Sequence, residues 1–155
     1  VITQERLKEL FTYKDGQFID RKRNAVKTIV PITSCQRYCR IVIDKKAYRF
    51  HRMVFLYHKG YLPKIIDHID NDRANNRIEN LRDVTQQQNC LNRIAHKNNK
   101  SGYKNVHWAK AMNKWCVLVN ILKKRKVIGY FDDVELAGFV AQEARNKFHG
   151  QFACH

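Results

Sequence analysis

Acidic side chains are the scarce class in this sequence: 14 aspartates and glutamates stand against 30 lysines and arginines, a formal net charge of +16. So large an excess argues for a polyanionic partner. Nucleic acid is the polyanion that releases counterions on meeting such a surface, with a solubilising or membrane-facing basic surface as the plainer alternative. Long apolar runs are also missing. None approaches the roughly 20 residues needed to span a bilayer, and no signal peptide is visible. The five cysteines, Cys35, Cys39, Cys90, Cys116 and Cys154, are odd in number and irregular in spacing, which speaks against a disulfide framework and for a reducing compartment. Cys35 and Cys39 have no second Cys or His pair following at zinc-finger spacing, so a structural zinc is not expected. What is present, 44% hydrophobic residues in 155, is enough for the core of one compact domain or two small ones.

The chain is organised around the stretch from Ile65 to Arg93, IIDHIDNDRANNRIENLRDVTQQQNCLNR. Asp67 and His68 follow the apolar pair Ile65 and Ile66, Asn80 comes twelve residues after the histidine, and Asn89 nine further on. Ile65 to His68 reads as a short strand, Asn71 to Asn76 as a solvated polar loop, and Ile78 to Leu81 as a second short apolar segment that turns back. Thr85 and Gln88 stand in the T-x-x-Q relation of a helix capping box, so Asn89 falls just past a first helical turn. Neighbours in an ideal strand point to opposite faces, so Asp67 and His68 converge only if the strand ends or twists there.

Strand, turn, strand and helix would let these side chains meet over one point, and phosphodiester hydrolysis is the chemistry such a meeting serves. An attacking water must lose a proton, and a neutral imidazole, whose unperturbed pKa is roughly 6.5, suits that task. Phosphorane charge and the leaving oxygen need a hard divalent ion with open positions, held by oxygen ligands such as Asp67 and Asn89.

DHIDNDRANNRIENLRDVTQQQN resembles the HNH endonuclease motif, in the form found in phage and intron-encoded homing endonucleases. The resemblance implies that His68 is the general base, that Asp67 binds Mg²⁺ or Mn²⁺, and that Asn80 holds the loop and hairpin by hydrogen bonds. Where many members place a final histidine as second metal ligand this chain has Asn89, which resembles the H-N-N subgroup, with Asn92 as a rival ligand. The same resemblance implies products with 5′-phosphate and 3′-hydroxyl ends. It also implies an intracellular setting, in a bacterial host or virus-encoded.

Ahead of that motif, Thr3 is placed to cap a short helix through Leu7, Leu10 and Phe11, and Asp15-Gly16 marks a hairpin turn. Two strands, Tyr38 to Ile43 and Ala47 to Phe50, are predicted to lead into a helix from about His51 that ends at Gly60. Arg37, Arg40, Arg49 and Arg52 are in reach of phosphates, and His51 is given a packing or phosphate-contacting role.

Beyond Arg93 the composition shifts. Residues 94–98 read as a linker, and strands are expected over Tyr103 to Trp108, Lys114 to Ile121 and Val127 to Phe131. A helix begins at the D-x-x-E of Asp132 and Glu135, buries Ala137, Val140, Ala141, Ala144 and Phe148 at helical spacing, and stops at Gly150. SGYKNVHW, NKW, IGYFDDVELAGFVAQEA and FHGQFA together resemble the plant ethylene-response-factor (APETALA-two) type DNA-binding domain over nearly all of 99–153. In that family a three-stranded sheet enters the major groove, which implies Lys104, His107, Lys110, Lys114, Trp115 and Lys124 as DNA contacts. Several of these replace arginines usual in the family, and lysines hold phosphate without reading a base in bidentate fashion.

The expected fold is therefore α+β: a ββα-metal nuclease module over 1–93 with a small N-terminal sheet and catalytic core 65–93, then a three-stranded antiparallel sheet packed on one helix over 99–155. The expected function is metal-dependent cleavage of double-stranded DNA, as a nick or a double-strand cut, with no small-molecule substrate and no membrane partner. A DNA-binding regulator that has lost turnover is the alternative from another class, and an RNA-directed reading is the third.

Overall fold

Thr3 starts the first element. Its hydroxyl accepts the Arg6 N–H at 3.2 Å, capping α1 (Gln4–Leu10). The chain then enters β1 (Phe11–Lys14) and β2 (Gln17–Asp20), joined by Asp15 and Gly16 at φ 48° and 82°. Both central residues are left-handed, as the tightest hairpin turn requires. β3 (Ala25–Val26) completes this first antiparallel sheet. The computed structural model describes residues 2–27, 29–33, 36–92, 98–121 and 124–153, and of 30–33, 36 and 37 the backbone alone. The linker segment up to residue 97, Cys35, Lys123 and the Arg37 side chain lie outside the described parts.

A second antiparallel sheet holds β4 (Val30–Thr33), β5 (Gln36–Ile43) and β6 (Lys46–Arg49), with Asp44 and Lys45 at φ 47° and 64° in the β5–β6 turn. Two three-stranded sheets thus precede the central motif, where the sequence predicts one small sheet. Phe50, read as the end of a strand, is already the first residue of α2 (Phe50–Lys59), which Gly60 closes at φ 78° with its N–H on Leu56 O. Leu7, Phe11, Phe18, Ile41, Phe50, Val54 and Phe55 are almost wholly buried and form one core, which Ile66 and Leu81 join from the following elements. That burial fixes the strands bearing the candidate site to a rigid body.

β7 (Ile66–His68) pairs antiparallel with β8 (Leu81–Asp83), in the register Ile66↔Asp83, Asp67↔Arg82 and His68↔Leu81. A single 3-10 turn, Ile78–Asn80, leads into β8, and α3 (Gln86–Leu91) follows it. The second predicted strand is therefore later and shorter than Ile78 to Leu81, because the chain spends Ile78–Asn80 turning.

The chain divides into two compact units, Val1–Gln87 and Gln88–His155, a boundary that falls within α3. In the second unit β9 (Val106–Ala109), β10 (Lys114–Ile121) and β11 (Lys124–Phe131) form an antiparallel sheet with β10 central. α4 (Val134–His149) covers one face and buries Ala137, Ala141 and Ala144 against Val106, Val117 and Val119. Its cap is Asp133, whose carboxylate accepts the Glu135 and Leu136 N–H groups. The cap thus falls one residue later than the predicted Asp132, which instead takes the Lys114 ammonium at 2.9 Å. Phe148 was also expected inside, but it is 39% exposed, and Arg145 and His149 take the inward positions. One polar atom of each is met by backbone: Arg145 Nη1 donates to Lys104 O at 2.8 Å, and His149 Nε2 lies 2.8 Å from Asn120 O. No described helix is long and apolar enough to cross a membrane.

Candidate active site

His68 is the last residue of β7, only 3% exposed, with Asp67 beside it at 7%. The strand ends at the histidine, which is one of the two ways the pair could escape strict alternation. Burial pushes the His68 imidazole below its ordinary pKa, and a hydrogen bond with Asn76 and the charges of Asp70, Asp67 and Asp72 offset this only in part. The ring is therefore neutral at neutral pH.

Asn76 was read as part of a solvated loop. It is instead 4% exposed, with Oδ1 3.3 Å from His68 Nε2. Its Nδ2 donates to Ala74 O at 2.9 Å, which fixes the amide so that oxygen faces the ring. An amide oxygen only accepts, so this contact selects the Nε2–H tautomer and puts the lone pair on Nδ1. Nothing in a run of asparagines and aspartates marks which one turns inward; burial alone decides it.

Asn80, 9% exposed, ties the loop together. Its Nδ2 donates to Asp70 Oδ1 and Asn75 O, both at 2.8 Å, and its Oδ1 accepts the Asp70 N–H at 3.1 Å. Partial desolvation would raise the Asp70 carboxyl, but hydrogen bonds from Asn75, Asn80 and the Asp72 backbone, with His68 nearby, hold it below its ordinary value. One amide thus crosslinks residues on both sides of the loop leaving His68.

Arg82, opposite Asp67 in the register, donates Nε and Nη2 to Asp67 Oδ2 at 2.9 and 2.8 Å. The two side chains are close to buried, so this is a salt bridge across the β7–β8 pair and not a surface contact. Asp67 and Asn89 are both oxygen donors, and Asn89 lies half-buried on α3, within the second unit by the division above. Among the described residues no three of His, Cys, Asp and Glu gather to hold a metal. A carboxylate and an amide are the hard donors that suit Mg²⁺ or Mn²⁺, which complete their shells with water and phosphate oxygens. Asn92 is 3% exposed.

A second histidine stands beside the first. His51, 5% exposed on α2, has its ring centroid 5.4 Å from that of His68, and its buried Nδ1 has no hydrogen-bond partner among the described residues. Burial, then the charges of His68, Arg49 and Arg52, pushes it down to about 3. Tyr38 completes the group, 5.1 Å from His51 and 6.1 Å from His68 between centroids.

A family model described as HNH endonuclease matches residues 48–91, which span α2, β7, β8 and α3 and contain Asp67, His68, Asn76, Asn80 and Asn89. Protein 3.8 of Escherichia phage T7 is 34% identical over 110 residues, covering 70% of this chain and 90% of that protein. This chain carries an HNH endonuclease domain and belongs to one family with Protein 3.8. A solved structure of DNA binding and cleavage by the HNH homing endonuclease I-HmuI is 30% identical, at a TM-score of 0.42. That match covers 50% of this chain, which spans about half (47%) of the solved one.

Outside the HNH domain the sheet of the second unit sorts the predicted DNA contacts by face. In β10 the residues Trp115, Val117, Val119 and Ile121 turn toward α4, and Trp108, paired with Trp115, shares that side. Trp115 is therefore a core-packed residue, edge-on to Trp108 at 5.0 Å, and not a group on the free face. His107, opposite Cys116, and Lys114, opposite Ala109, do lie on the free face. A β-bulge between Val117 and Leu118 shifts the alternation in β11. Lys124, opposite Ile121, thereby falls on the helix side, while Arg125 and Val127 join Tyr130 on the free face. The bulge is not legible in the alternation of KRKVIGYF, so Arg125 was missed. Lys110 is exposed in the β9–β10 turn, and the Lys104 ammonium donates to Leu91 O at 2.7 Å.

Proposed function

We propose that the chain is a metal-dependent DNA endonuclease of the homing type, hydrolysing phosphodiester bonds of duplex DNA gripped by its C-terminal unit. The observation that carries this reading is a buried, neutral His68, oriented by Asn76, inside the segment that matches the HNH endonuclease model. His68 Nδ1 takes a proton from water. The hydroxide forms a bond to phosphorus, the bond to the 3′ oxygen breaks, and that oxygen leaves to be protonated, giving 5′-phosphate and 3′-hydroxyl ends. Asp67 and Asn89 would hold Mg²⁺ or Mn²⁺, which when bound neutralises phosphorane charge and stabilises the leaving oxygen. Asn80 keeps the loop and hairpin in place for both. The ethylene-response-factor reading of 99–153 is supported by its sequence motifs and by one antiparallel sheet on one helix. His107, Lys110 and Lys114 are its DNA contacts, joined by Arg125 and Tyr130. The exposed Lys114–Asp132 pair is of the kind worth only about 0–1 kcal/mol, so phosphate displaces it readily.

The test incubates supercoiled plasmid with wild type and His68→Ala, each with Mg²⁺, Mn²⁺ or EDTA. Metal-dependent nicking or linearisation by wild type alone is expected. One observation favours a second reading, a DNA-binding regulator without turnover: the Asp67 carboxylate is engaged by Arg82. Duplex binding without cleavage under every metal would select it.

A further inference from the structure

Two guanidinium groups share one aromatic ring beside His68. Arg73 Cζ lies 4.7 Å, and Arg49 Cζ 5.8 Å, from the Tyr38 ring centroid. The same ring is packed 5.1 Å from His51 and 6.1 Å from His68. Both arginines are exposed, and neither makes an ion pair among the described residues. They come from separate parts of the chain, Arg49 from the end of β6 and Arg73 from the loop after β7. Like charges brought to one ring repel, and nothing in the core requires them there.

We infer that Tyr38 is the platform of a phosphate clamp in which Arg73 and Arg49 grasp the phosphodiester presented to His68. The inference rests on the nuclease reading above and deepens it by naming what holds the substrate at the base. A guanidinium is a planar fork matched to phosphate oxygens. Stacked on a ring that is itself packed against two buried imidazoles, the fork is orientated before DNA arrives, and its distance from the base is set by the same ring. The anion supplies the countercharge that the two arginines lack, which accounts for their gathering.

The experiment measures duplex binding in EDTA across a salt series, and single-turnover cleavage at saturating DNA with Mg²⁺. It compares wild type, Arg73→Ala, Arg49→Ala, Arg73→Lys, Tyr38→Phe and Tyr38→Leu, with Arg23→Ala, from the turn after β2, as charge control. Removing one phosphate contact lowers the slope of log affinity against log salt by about 0.9. Arg73→Ala and Arg49→Ala should each show this, Arg73→Ala should also lose tenfold or more in rate, and Arg73→Lys should recover part of it. Tyr38→Leu, which removes the platform of both arginines, should lose at least as much rate as Arg73→Ala, Tyr38→Phe, which keeps the ring, should lose less than Tyr38→Leu, and Arg73→Ala should add little to Tyr38→Leu in the double variant. Slopes unchanged in both alanine variants, or lowered equally in Arg23→Ala, overturn the clamp. Should wild type fail to cut under any metal, the nuclease reading falls while the salt slopes still decide the clamp.

Discussion

Arg82→Met separates the two states that Asp67 can occupy. The guanidinium and carboxylate are 15% and 8% exposed and meet at 2.8 Å, so the pair is close to buried. Removing one partner of a fully buried pair costs about 3–5 kcal/mol, because the remaining charge stays desolvated. Discounted for the residual exposure here, a loss of about 2–4 kcal/mol is expected, a large part of the 5–15 kcal/mol that holds a typical domain together. In a unit of this size that lowers the melting temperature by roughly 10–25 °C. The Asp67 carboxylate, relieved of the Arg82 guanidinium, is then a stronger ligand. A divalent ion bound to the folded state alone adds about 2.7 kcal/mol at a concentration one hundred times its dissociation constant. Urea melts of wild type and Arg82→Met in EDTA and in increasing Mn²⁺ read both effects. The variant should be the less stable in EDTA and gain more from metal than wild type does. Equal melts in EDTA would refute the energetic argument. Destabilisation with no metal rescue in either protein would refute Asp67 as a ligand.

Three further outcomes are expected. Asn76→Leu should lower single-turnover cleavage tenfold or more at unchanged duplex affinity, because the His68 ring loses the acceptor that selects its tautomer; an unchanged rate would show that Asn76 only fills space. His51 should make stability pH-dependent: its folded pKa, about 3, lies below the unfolded value of roughly 6.5, so the unfolded chain binds the extra proton between them. Stability is then full above that upper value and falls with acid at up to about 1.4 kcal/mol per pH unit. His51→Phe should flatten this slope between pH 6.5 and 5 in urea melts, leaving the part due to His58 and His68, which are also lowered. A Cβ at Gly138 would clash with the Tyr103 ring, so Gly138→Ala should cost about 1–3 kcal/mol by overpacking, and an unshifted thermal melt would mean that Tyr103 moves aside.

What the sequence determined by itself is whatever local chemistry dictates. The caps of α1 and α2, the Asp15-Gly16 hairpin and the strands flanking Asp44-Lys45 follow from side chains that bond their own backbone or tolerate positive φ. Neither needs a distant partner. The HNH stretch that contains Asp67, His68, Asn80 and Asn89 was legible because it is a contiguous run. Tertiary structure alone decided which side chains turn inward. Asn76 and Asn75 are neighbours of identical chemistry, yet only Asn76 reaches His68, because the loop is folded by Asn80 and Asp70 across ten residues of chain. Tyr38, His51 and Arg73 converge through packing of β5, α2 and the loop after β7, at separations no local pattern records. Trp115 and Lys124 lie on the helix side of their sheet because α4 needs an apolar floor and a bulge shifts the alternation of β11. Face and register are properties of the partner strand, and the partner is chosen only when the chain folds.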